Sequence, residues 1–422
     1  MTPALASISV IVVSWNRPAD LRRCLIGLQQ QDHPRLDLQV VADPASRGAV
    51  LAAMQGSGLT AEVLGNPGGN ISLARNIGLR AALGDVVAFI DDDAVPEPSW
   101  AQRLARAFAD PKVVAATGYT RGRNGISWQW TATEVDECGQ DHAVPHDTQT
   151  RLHRGTARRA VKPVGTNCAF RRDAILAIGG FDEAYRFYLD DADVGLRLGP
   201  LGLTAVVPGA VVHHAFAASD RRRADRVPSD LTQIGASVQV FLRRHAQPQD
   251  WPAALARIRA EQAARLAGHL AAGRIDRDEL ARLTRTLETG LTEGQHRDLP
   301  VLAPIVPRDA GPAQSSGLPA PGLPGTGPRP GKLIVGRFWQ ARRKRAEAAA
   351  LVAAGIITTL ILLSPTMRAH RHRLHPDGYW EQVGGLFGPS DRRQPRFRWW
   401  RFAARVQAER RVLARYRPMD EG

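Results

Sequence analysis

Cysteine is scarce in this sequence, which has only Cys24, Cys138 and Cys168 among 422 residues. Three widely spaced cysteines exclude a disulfide framework and form no zinc-binding pattern. The expected environment is therefore a reducing compartment, and the expected location is cytoplasmic. Cys168 is expected to be a small buried hydrophobe and not a nucleophile.

Long apolar runs are missing as well. The longest uncharged one, Ala348 to Leu363, has 16 residues and includes Gly355, whereas a bilayer-spanning helix needs about 20. We interpret it as an Ala-rich helix that ends at Gly355, followed by a strand; a single spanning helix at 348–363 is the less favoured alternative. The first residues hold no basic stretch and no cleavage site, so no secretory signal is expected.

Negative charge is sparse at one end of the chain. Residues 331–422 carry 19 Lys or Arg against 7 Asp or Glu, so this segment holds +12 of the total net charge of +15. Aromatic and basic residues alternate over 396–402. This composition predicts docking on an anionic membrane surface. Nucleic acid is a less favoured partner, and an ordinary folded module with its tryptophans inside is a further alternative.

Strands and helices alternate near the start of the chain. Apolar β-branched runs predict strands at Ile8–Val13, Leu38–Ala42 and Val86–Ile90. Helical spacing marks Asp20–Gln31 and Ile71–Leu83. This alternation is typical of an α/β domain with a mostly parallel central sheet, in which ligands bind at the carboxyl ends of the strands.

The rest of the chain divides by composition. We expect a catalytic domain at 1–247, a helical extension at 248–300, a linker at 301–331 and a basic C-terminal module of unknown fold at 332–422. The linker is predicted because residues 311–331 contain six Gly and six Pro, and no core forms from that composition.

Two acidic clusters could carry chemistry. Asp91, Asp92 and Asp93 end a predicted buried strand, where three carboxylates need solvent or a divalent cation to offset their repulsion. Asp190 and Asp191 lie side by side, which raises one pKa and keeps a base near the working pH. Neither cluster requires a catalytic role. The first could be a solvated acidic turn, and the second could stabilise the dipole at a helix N-terminus.

The order of these and other fragments carries a resemblance. The fragments are Ile8 to Asn16, Asp43-Pro44-Ala45-Ser46, Asn70 with Ala74 to Gly78, Gly84-Asp85 with Asp91 to Asp93, Gly165-Thr166-Asn167, Gly179 to Glu183, Asp190 to Asp193 with Arg197, and Val211 to His214. In this order and spacing, residues 7–245 resemble family 2 of the glycosyltransferases, which have the GT-A fold. Residues after Gly331 lie outside that resemblance.

The resemblance implies a role for each matching residue. Asp43 would read the nucleobase, Arg75 would help hold the nucleotide, and Asp91 would face the ribose. Asp93 would bind Mn²⁺ or Mg²⁺, with His214 approaching the metal or diphosphate. Asp191 would be the catalytic base and Asp190 takes a position usually held by glutamate, while Asp193 and Arg197 would support the base. Asp92 belongs to the same donor-binding group, and His213 is an alternative to His214.

The implied activity is transfer of a sugar from a nucleotide-sugar donor to a glycan or lipid-linked acceptor. The sequence Asp43-Pro44-Ala45-Ser46 departs from the family's usual Asp-Asn-Gly-Ser type of turn, which weakens the prediction for the base-reading loop. The Gln-x-x-Arg-Trp signature of processive synthases is not found. Two alternatives stay open: a nucleotidyltransferase of the same fold, and a catalytically silent scaffold that binds anionic surfaces.

Overall fold

A computed structural model describes residues 5–55, 59–215, 221, 223, 225–307 and 329–420. Up to residue 215 the described strands are β1 (Ile8–Ser14), β2 (Leu36–Ala42), β3 (Glu62–Gly65), β4 (Val86–Asp91), β5 (Ala94–Pro96), β6 (Val113–Arg121), β7 (Trp128–Trp130), β8 (Thr133–Asp136), β9 (Asp141–Ala143), β10 (Arg151–Arg154), β11 (Arg159–Val161), β12 (Asn167–Arg171) and β13 (Leu203–His214). The helices up to residue 296 are α1 (Pro18–Leu28), α2 (Pro44–Met54), α3 (Ile71–Ala81), α4 (Trp100–Ala107), α5 (Arg172–Ala177), α6 (Asp190–Leu198), α7 (Thr232–His245), α8 (Trp251–Ala271) and α9 (Arg277–His296).

The main sheet has the strand order β10-β13-β6-β12-β4-β1-β2-β3, with β5 paired to β13 and β7 to β6. Along that order only β12 and β10 run opposite to the other six strands. The prediction of an α/β domain with a mostly parallel sheet is therefore confirmed. The apolar strands β1 and β4 lie in the middle because both of their faces are buried.

Helices cover both faces of this sheet. One core contains side chains of α1 and α4 around Leu21, Leu25, Trp100 and Leu104. The other lies under α3 and α5, where Phe89, Phe170 and Phe181 make edge-to-face ring contacts. The indole N–H of Trp100 donates to Asn167 on β12 at 2.8 Å, which supplies the polar partner that a buried tryptophan needs.

Two helices follow where the sequence predicts a helical extension. Helix α9 packs closely along α7, and glycines allow the contact: a Cβ built at Gly290 would lie 2.0 Å from the carbonyl oxygen of Thr232. Helix α8 joins the same core through Ala254 and Ile258. Most of the predicted linker at 301–331 lies outside the described residues, which leave out 308–328.

The C-terminal unit is a small α/β layer structure. Its elements are β14 (Gly331–Arg337), α10 (Ala341–Ala353), β15 (Ile357–Ser364), β16 (Arg371–Leu374), β17 (Trp380–Gly385) and α11 (Phe402–Leu413). Strands β14, β15 and β17 are parallel, and β16 runs antiparallel at the edge. Helix α10 covers one face of the sheet and α11 the other.

The predicted break inside Ala348 to Leu363 has a clear conformational cause. Helix α10 ends at Ala353, and Gly355 adopts a φ of +81°, the left-handed geometry that glycine adopts past a helix C-terminus. Strand β15 then begins at Ile357. Across the described part of the chain, no helix is both long and apolar enough to cross a membrane.

The C-terminal unit is anchored to the first sheet by buried polar contacts. The indole N–H of Trp380 donates to Gln30 Oε1 at 2.9 Å, and the Gln30 amide donates to the carbonyl of Gly378 at 2.7 Å. Arg417 makes two hydrogen bonds of 2.8 Å to Glu97, and both side chains are almost fully buried. These two residues are 320 positions apart in the chain.

Candidate active site

The carboxyl ends of the parallel strands bring the predicted site residues to one edge of the sheet. Ser14 at the end of β1 is in register with Ala42, so the residues after β1 lie beside Asp43. Val13 is in register with Asp91, and His214 closes β13 opposite Ala94 of β5. This edge is where open α/β sheets bind their ligands.

Asp91, Asp93 and His214 form a compact group. One ligand atom from each side chain lies within 4.8 Å of the other two, and His214 Nε2 lies 3.0 Å from Asp93 Oδ1. Two ligands at right angles around an ion, each about 2.1 Å from it, are also about 3.0 Å apart. The donor set of two carboxylates and an imidazole therefore fits Mn²⁺ or Mg²⁺.

Gln129 determines which nitrogen of His214 faces Asp93. His214 Nδ1 lies 3.1 Å from the Gln129 side-chain oxygen, so the Nδ1 proton is donated to that amide. Nε2 then presents a lone pair to a carboxylate oxygen, and this contact is repulsive unless a proton or a cation lies between the two atoms. Such second-partner orientation is typical of histidines that bind metals.

Asp92 points to a different neighbour. Its carboxylate accepts a 2.8 Å hydrogen bond from the Ser14 hydroxyl and lies 3.1 Å from Arg17 Nη1. Burial raises the pKa of Asp92 to about 7; Arg17 opposes this rise and the charge of Asp93 adds to it. The same Arg17 nitrogen lies 3.4 Å from Asp93, so one guanidinium compensates two acidic groups.

Asp43 caps helix α2. One carboxylate oxygen accepts from the backbone N–H of Ala45 at 3.0 Å and Ser46 at 3.4 Å, and the other accepts from the N–H of Asn16 at 3.0 Å. Burial favours the neutral acid, but hydrogen bonds from Ser46 and Asn16 outweigh it and lower the pKa of Asp43. Asp43 is thus an anion with a structural role, and its role towards a nucleobase stays a prediction.

Arg75 links the two acidic clusters. Its guanidinium pairs with Asp190 and lies 3.7 Å from Asp91. A Cβ at Gly165 would lie 2.4 Å from this guanidinium, which explains a glycine at that position. Arg75 is buried, so its contact with a nucleotide also stays a prediction.

The two adjacent aspartates of α6 have different surroundings. Asp190 is buried against Arg75; burial raises its pKa, Arg75 opposes the rise and Asp191 adds to it. Asp191 is partly exposed, and its Oδ2 accepts a 3.1 Å hydrogen bond from the backbone N–H of Gly165. Only Asp191 is therefore placed to meet a ligand, although the raised pKa belongs to Asp190.

Hydrogen bonds to Asp193 stabilise the first turn of α6. Asp193 accepts hydrogen bonds from Arg197 at 2.8 Å and His245 at 2.9 Å, and these contacts outweigh burial and lower its pKa. Tyr188 and Leu189, just before the helix, adopt positive φ values of 74° and 65°. Non-glycine residues in this conformation cost energy and often mark functional sites.

The sequence did not identify every residue of this edge. Arg17, Gln129 and Thr166, whose hydroxyl donates to Asp91, were not assigned roles. The only sequence signal for Arg17 was its position directly after the first strand. His213 points away from Asp93: its Nε2 lies 2.8 Å from Glu97, and its ring packs on His372 and Trp380.

A comparison with protein families matches the first half of the chain. The model of a family described as "Glycosyltransferase like family 2" matches residues 3–227. A pre-mycofactocin glycosyltransferase of Mycobacterium tuberculosis is 28% identical over 218 residues, which are 48% of this chain and 43% of that protein. A glucosyl-dolichyl phosphate glucuronosyltransferase of Haloferax volcanii is 30% identical over 112 residues, or 26% and 34% of the two chains. The chain thus spans less than half the length of these two relatives.

Solved structures give a weaker comparison. A mannosyltransferase from Pyrobaculum calidifontis, in complex with GDP-mannose and Mn²⁺, has 19% sequence identity and a TM-score of 0.42. That alignment covers 69% of this chain and 88% of the mannosyltransferase.

Proposed function

Because the chain belongs to the glycosyltransferase-like family 2, we propose that it moves a sugar from a nucleoside-diphosphate donor to a hydroxyl of a glycan or lipid-linked acceptor, with inversion at the anomeric carbon. The observation that supports this most is the group of Asp91, Asp93 and His214 at the sheet edge, with the partly exposed Asp191 on the neighbouring helix. A role in polysaccharide biosynthesis follows from such an acceptor.

Asp93 and His214 would hold Mn²⁺ or Mg²⁺, and Asp91 can reach the same ion or the donor ribose because its side chain is 31% exposed. The bound ion would act as a Lewis acid towards the leaving diphosphate. Gln129 keeps the Nε2 lone pair of His214 directed at this site. Arg17 balances the charge of Asp92 and Asp93 from outside the group.

The donor would lie along the ends of β1, β2 and β4. Asp43, which already accepts the backbone N–H groups of Ala45, Ser46 and Asn16, would read the edge of the nucleobase. Arg75 would act on the nucleotide through Asp91, whose carboxylate it helps to position. Asp92 would support the same end of the donor site.

Asp191 would take the proton of the acceptor hydroxyl. The acceptor oxygen forms a bond to the anomeric carbon while the bond from that carbon to the diphosphate oxygen breaks, and the nucleoside diphosphate leaves with the bonding electrons. The backbone N–H of Gly165 holds the Asp191 carboxylate in place. Asp190 neutralises Arg75 below it.

A panel of nucleotide-sugars tests this activity. The full chain is incubated with each donor and Mn²⁺ or Mg²⁺, and release of the nucleoside diphosphate is measured with and without EDTA. We expect metal-dependent binding and slow hydrolysis of one donor class. Pyrophosphate formed from a nucleoside triphosphate and a sugar 1-phosphate would indicate the nucleotidyltransferase instead. Binding of no donor under either metal would indicate a silent scaffold.

We also propose that the C-terminal unit contacts the anionic cytoplasmic face of a membrane. Large side chains are exposed on segments that follow the carboxyl ends of its parallel strands and on the loop before α11: Phe338 (52%), Trp339 (61%), Met367 (61%), Phe397 (50%) and Trp399 (72%). Trp399 stacks on Phe387, which directly follows β17, and Arg337 lies over Trp339. Interfacial aromatics with arginines fit a surface of anionic lipids.

Flotation with liposomes tests this contact. Trp339→Ser combined with Trp399→Ser should reduce binding to anionic vesicles several-fold, and added salt should weaken wild-type binding. Leu201→Ser, a change of a 58% exposed residue in the first domain, is the matched control. Equal binding to neutral and anionic vesicles, or unchanged binding of the double variant, would contradict the proposal.

A further inference from the structure

A cavity lies where the C-terminal unit meets the part of the chain that contains the first sheet. It has a volume of about 600 Å³. The first domain contributes Tyr119, Arg121, Trp128 and His146, and the C-terminal unit contributes Asp391, Arg393, Glu409, Arg415 and Tyr416, among others. None of the described residues that line it belongs to the candidate catalytic or metal-binding set.

The acidic side chains around this cavity already have partners within the protein. The ion pairs are Glu97 with Arg417, Asp147 with Arg151, Asp391 with Arg393, and Glu409 with Arg405. These carboxylates therefore do not need a cationic ligand. The lining has four arginines, Arg103, Arg121, Arg393 and Arg415, and four carboxylates. Three of these carboxylates pair with arginines outside the lining, and Arg393 pairs with the fourth.

Arg121 lines this cavity together with Asp391, with whose charge it interacts. Only 8% of Arg121 is exposed, and its guanidinium makes no hydrogen bond or ion pair with any residue the structure describes. It lies 4.0 Å from the centre of the Trp128 ring, and the indole Nε1 of Trp128 is itself buried without a hydrogen-bond partner. The guanidinium nitrogens of Arg121 are not among the fully buried polar atoms that lack a partner, so they face the cavity, where an anionic group can pair with them.

Trp128 and His146 form the wall beside Arg121, and both contact the buried ring of Tyr119. Tyr119 lies 5.4 Å from Trp128 and 5.2 Å from His146, measured between ring centres. A sugar ring has an apolar face of C–H groups that packs on such rings, and hydroxyls that bond to surrounding polar groups. Of the chemical classes that fit an arginine facing the cavity, a charged sugar also fits this wall.

We propose that this cavity binds an anionic sugar, a pyranose that carries a carboxylate or a phosphate. Arg121 would form the ion pair with the anionic group, beside the aromatic wall. This inference goes beyond glycosyl transfer, because binding here requires neither the nucleotide donor nor the metal.

Ligand-detected NMR with the full chain in EDTA tests the proposal. The probes are D-glucuronate, glucose 6-phosphate and neutral D-glucose. We expect at least one anionic probe to bind 10-fold or more tightly than glucose, and the probe that binds distinguishes a sugar acid from a sugar phosphate. Binding of neither anionic probe, or equal binding of glucose, would overturn the inference.

Arg121→Met separates this cavity from the donor site. The variant should lose 10-fold or more in affinity for the anionic probe, while Arg22→Met, a change of an exposed arginine on α1, should lose none. Undiminished binding by Arg121→Met would overturn the inference. If that variant does not fold, Arg121→Gln, a polar replacement at the same position, serves in its place; a drop in affinity for the anionic probe, with glucose unaffected, supports the proposal, and no drop overturns it.

Discussion

At the scale of single residues, the orientation of His214 is set by its neighbours. A histidine facing a carboxylate oxygen at 3.0 Å, with its other nitrogen engaged by Gln129, is oriented for a cation. Its chain neighbour His213 faces the opposite side and contacts Glu97, as alternation along a strand requires. Two adjacent histidines therefore serve two different parts of the molecule.

Removing the Gln129 amide should weaken the metal site without touching a ligand. Gln129→Ala leaves Nδ1 of His214 without its partner, so the ring loses its fixed tautomer and orientation. We expect Mn²⁺ affinity, measured by electron paramagnetic resonance, to fall by about 10–100-fold. Gln149→Ala, a change of an exposed glutamine outside the site, is the control, and equal affinities of the two variants would contradict the role of Gln129.

Asp191 and Asp190 should respond differently to the same change. Asp191→Asn removes the proposed base but preserves its shape, so donor affinity should be kept while turnover falls by about 10²–10⁴. Asp190→Asn removes the nearer of the two carboxylates that pair with the buried Arg75 and should lower thermal stability. Steady-state kinetics and melting curves of both variants check this pair. Full turnover by Asp191→Asn, with loss only in Asp190→Asn, would transfer the role to Asp190.

Sequence reasoning found the acidic residues but not their environments. The sequence points to Asp91 and His214 because each ends a strand, and to Asp93 because it lies in the turn directly after β4; the order of fragments also resembles a known family. Arg17 and Gln129 could not be predicted, since their roles depend on packing between segments far apart in the chain. The helix cap formed by Asp43 has a sequence signal, because Asp-Pro-Ala-Ser is typical of the start of a helix.

At the scale of elements, local signals placed most of the first half of the sheet. Strands β1, β2 and β4 and helices α1 and α3 lie within a few residues of their predicted bounds, because buried strands and amphipathic helices have distinct periodicities. The short strands β7 to β11 were not predicted. Their side chains are mostly half exposed, and their pairing depends on partners distant in sequence.

Replacing a glycine by alanine should change stability in opposite directions at the α7–α9 crossing and on α8. Gly290→Ala puts a methyl group 2.0 Å from the Thr232 carbonyl oxygen, so the helices must separate and unfolding free energy should fall by about 1–3 kcal/mol. Gly268→Ala meets no atom within 4 Å and should raise it by about 0.5–1 kcal/mol. Chemical denaturation measures both. A neutral Gly290→Ala would mean that the crossing is looser than described.

At the scale of the whole molecule, the basic C-terminal unit packs against the first part of the chain through buried contacts. Its strongest single link is the buried pair of Arg417 and Glu97, with Arg417 also 2.7 Å from His372. Composition could not predict this link, because it shows an excess of arginine without showing which arginine is buried. The same docking forms the cavity around Arg121.

Breaking the buried pair should uncouple the two units. Arg417→Met leaves Glu97 buried without its main partner, and the free energy of unfolding should fall by about 3–5 kcal/mol. Arg411→Met, a change of an exposed residue on α11, is the control and should be near neutral. Equal stability of the two variants in urea denaturation would contradict the account of the docked unit.

The same pair gives a pH dependence with a defined sign. Burial alone would raise the pKa of Glu97, but Arg417 and His213 outweigh it and hold that pKa well below its ordinary value of 4.5. Because the folded-state pKa is lowered, the stabilisation is present above the unfolded-state pKa and is lost as pH falls below it. Wild type should therefore lose stability on acidification more steeply than Arg417→Met.

Asp93 should take part in metal-dependent donor binding. The most direct measurement is calorimetric titration of the donor selected by the panel into wild type and Asp93→Ala, each with Mn²⁺ and with EDTA. Asp173→Ala, an exposed change on α5, controls for loss of charge alone. We predict that Mn²⁺ strengthens donor binding 10-fold or more in wild type and in Asp173→Ala, and that Asp93→Ala folds but loses this gain. Donor binding by Asp93→Ala that still strengthens with Mn²⁺ as in wild type would contradict the account.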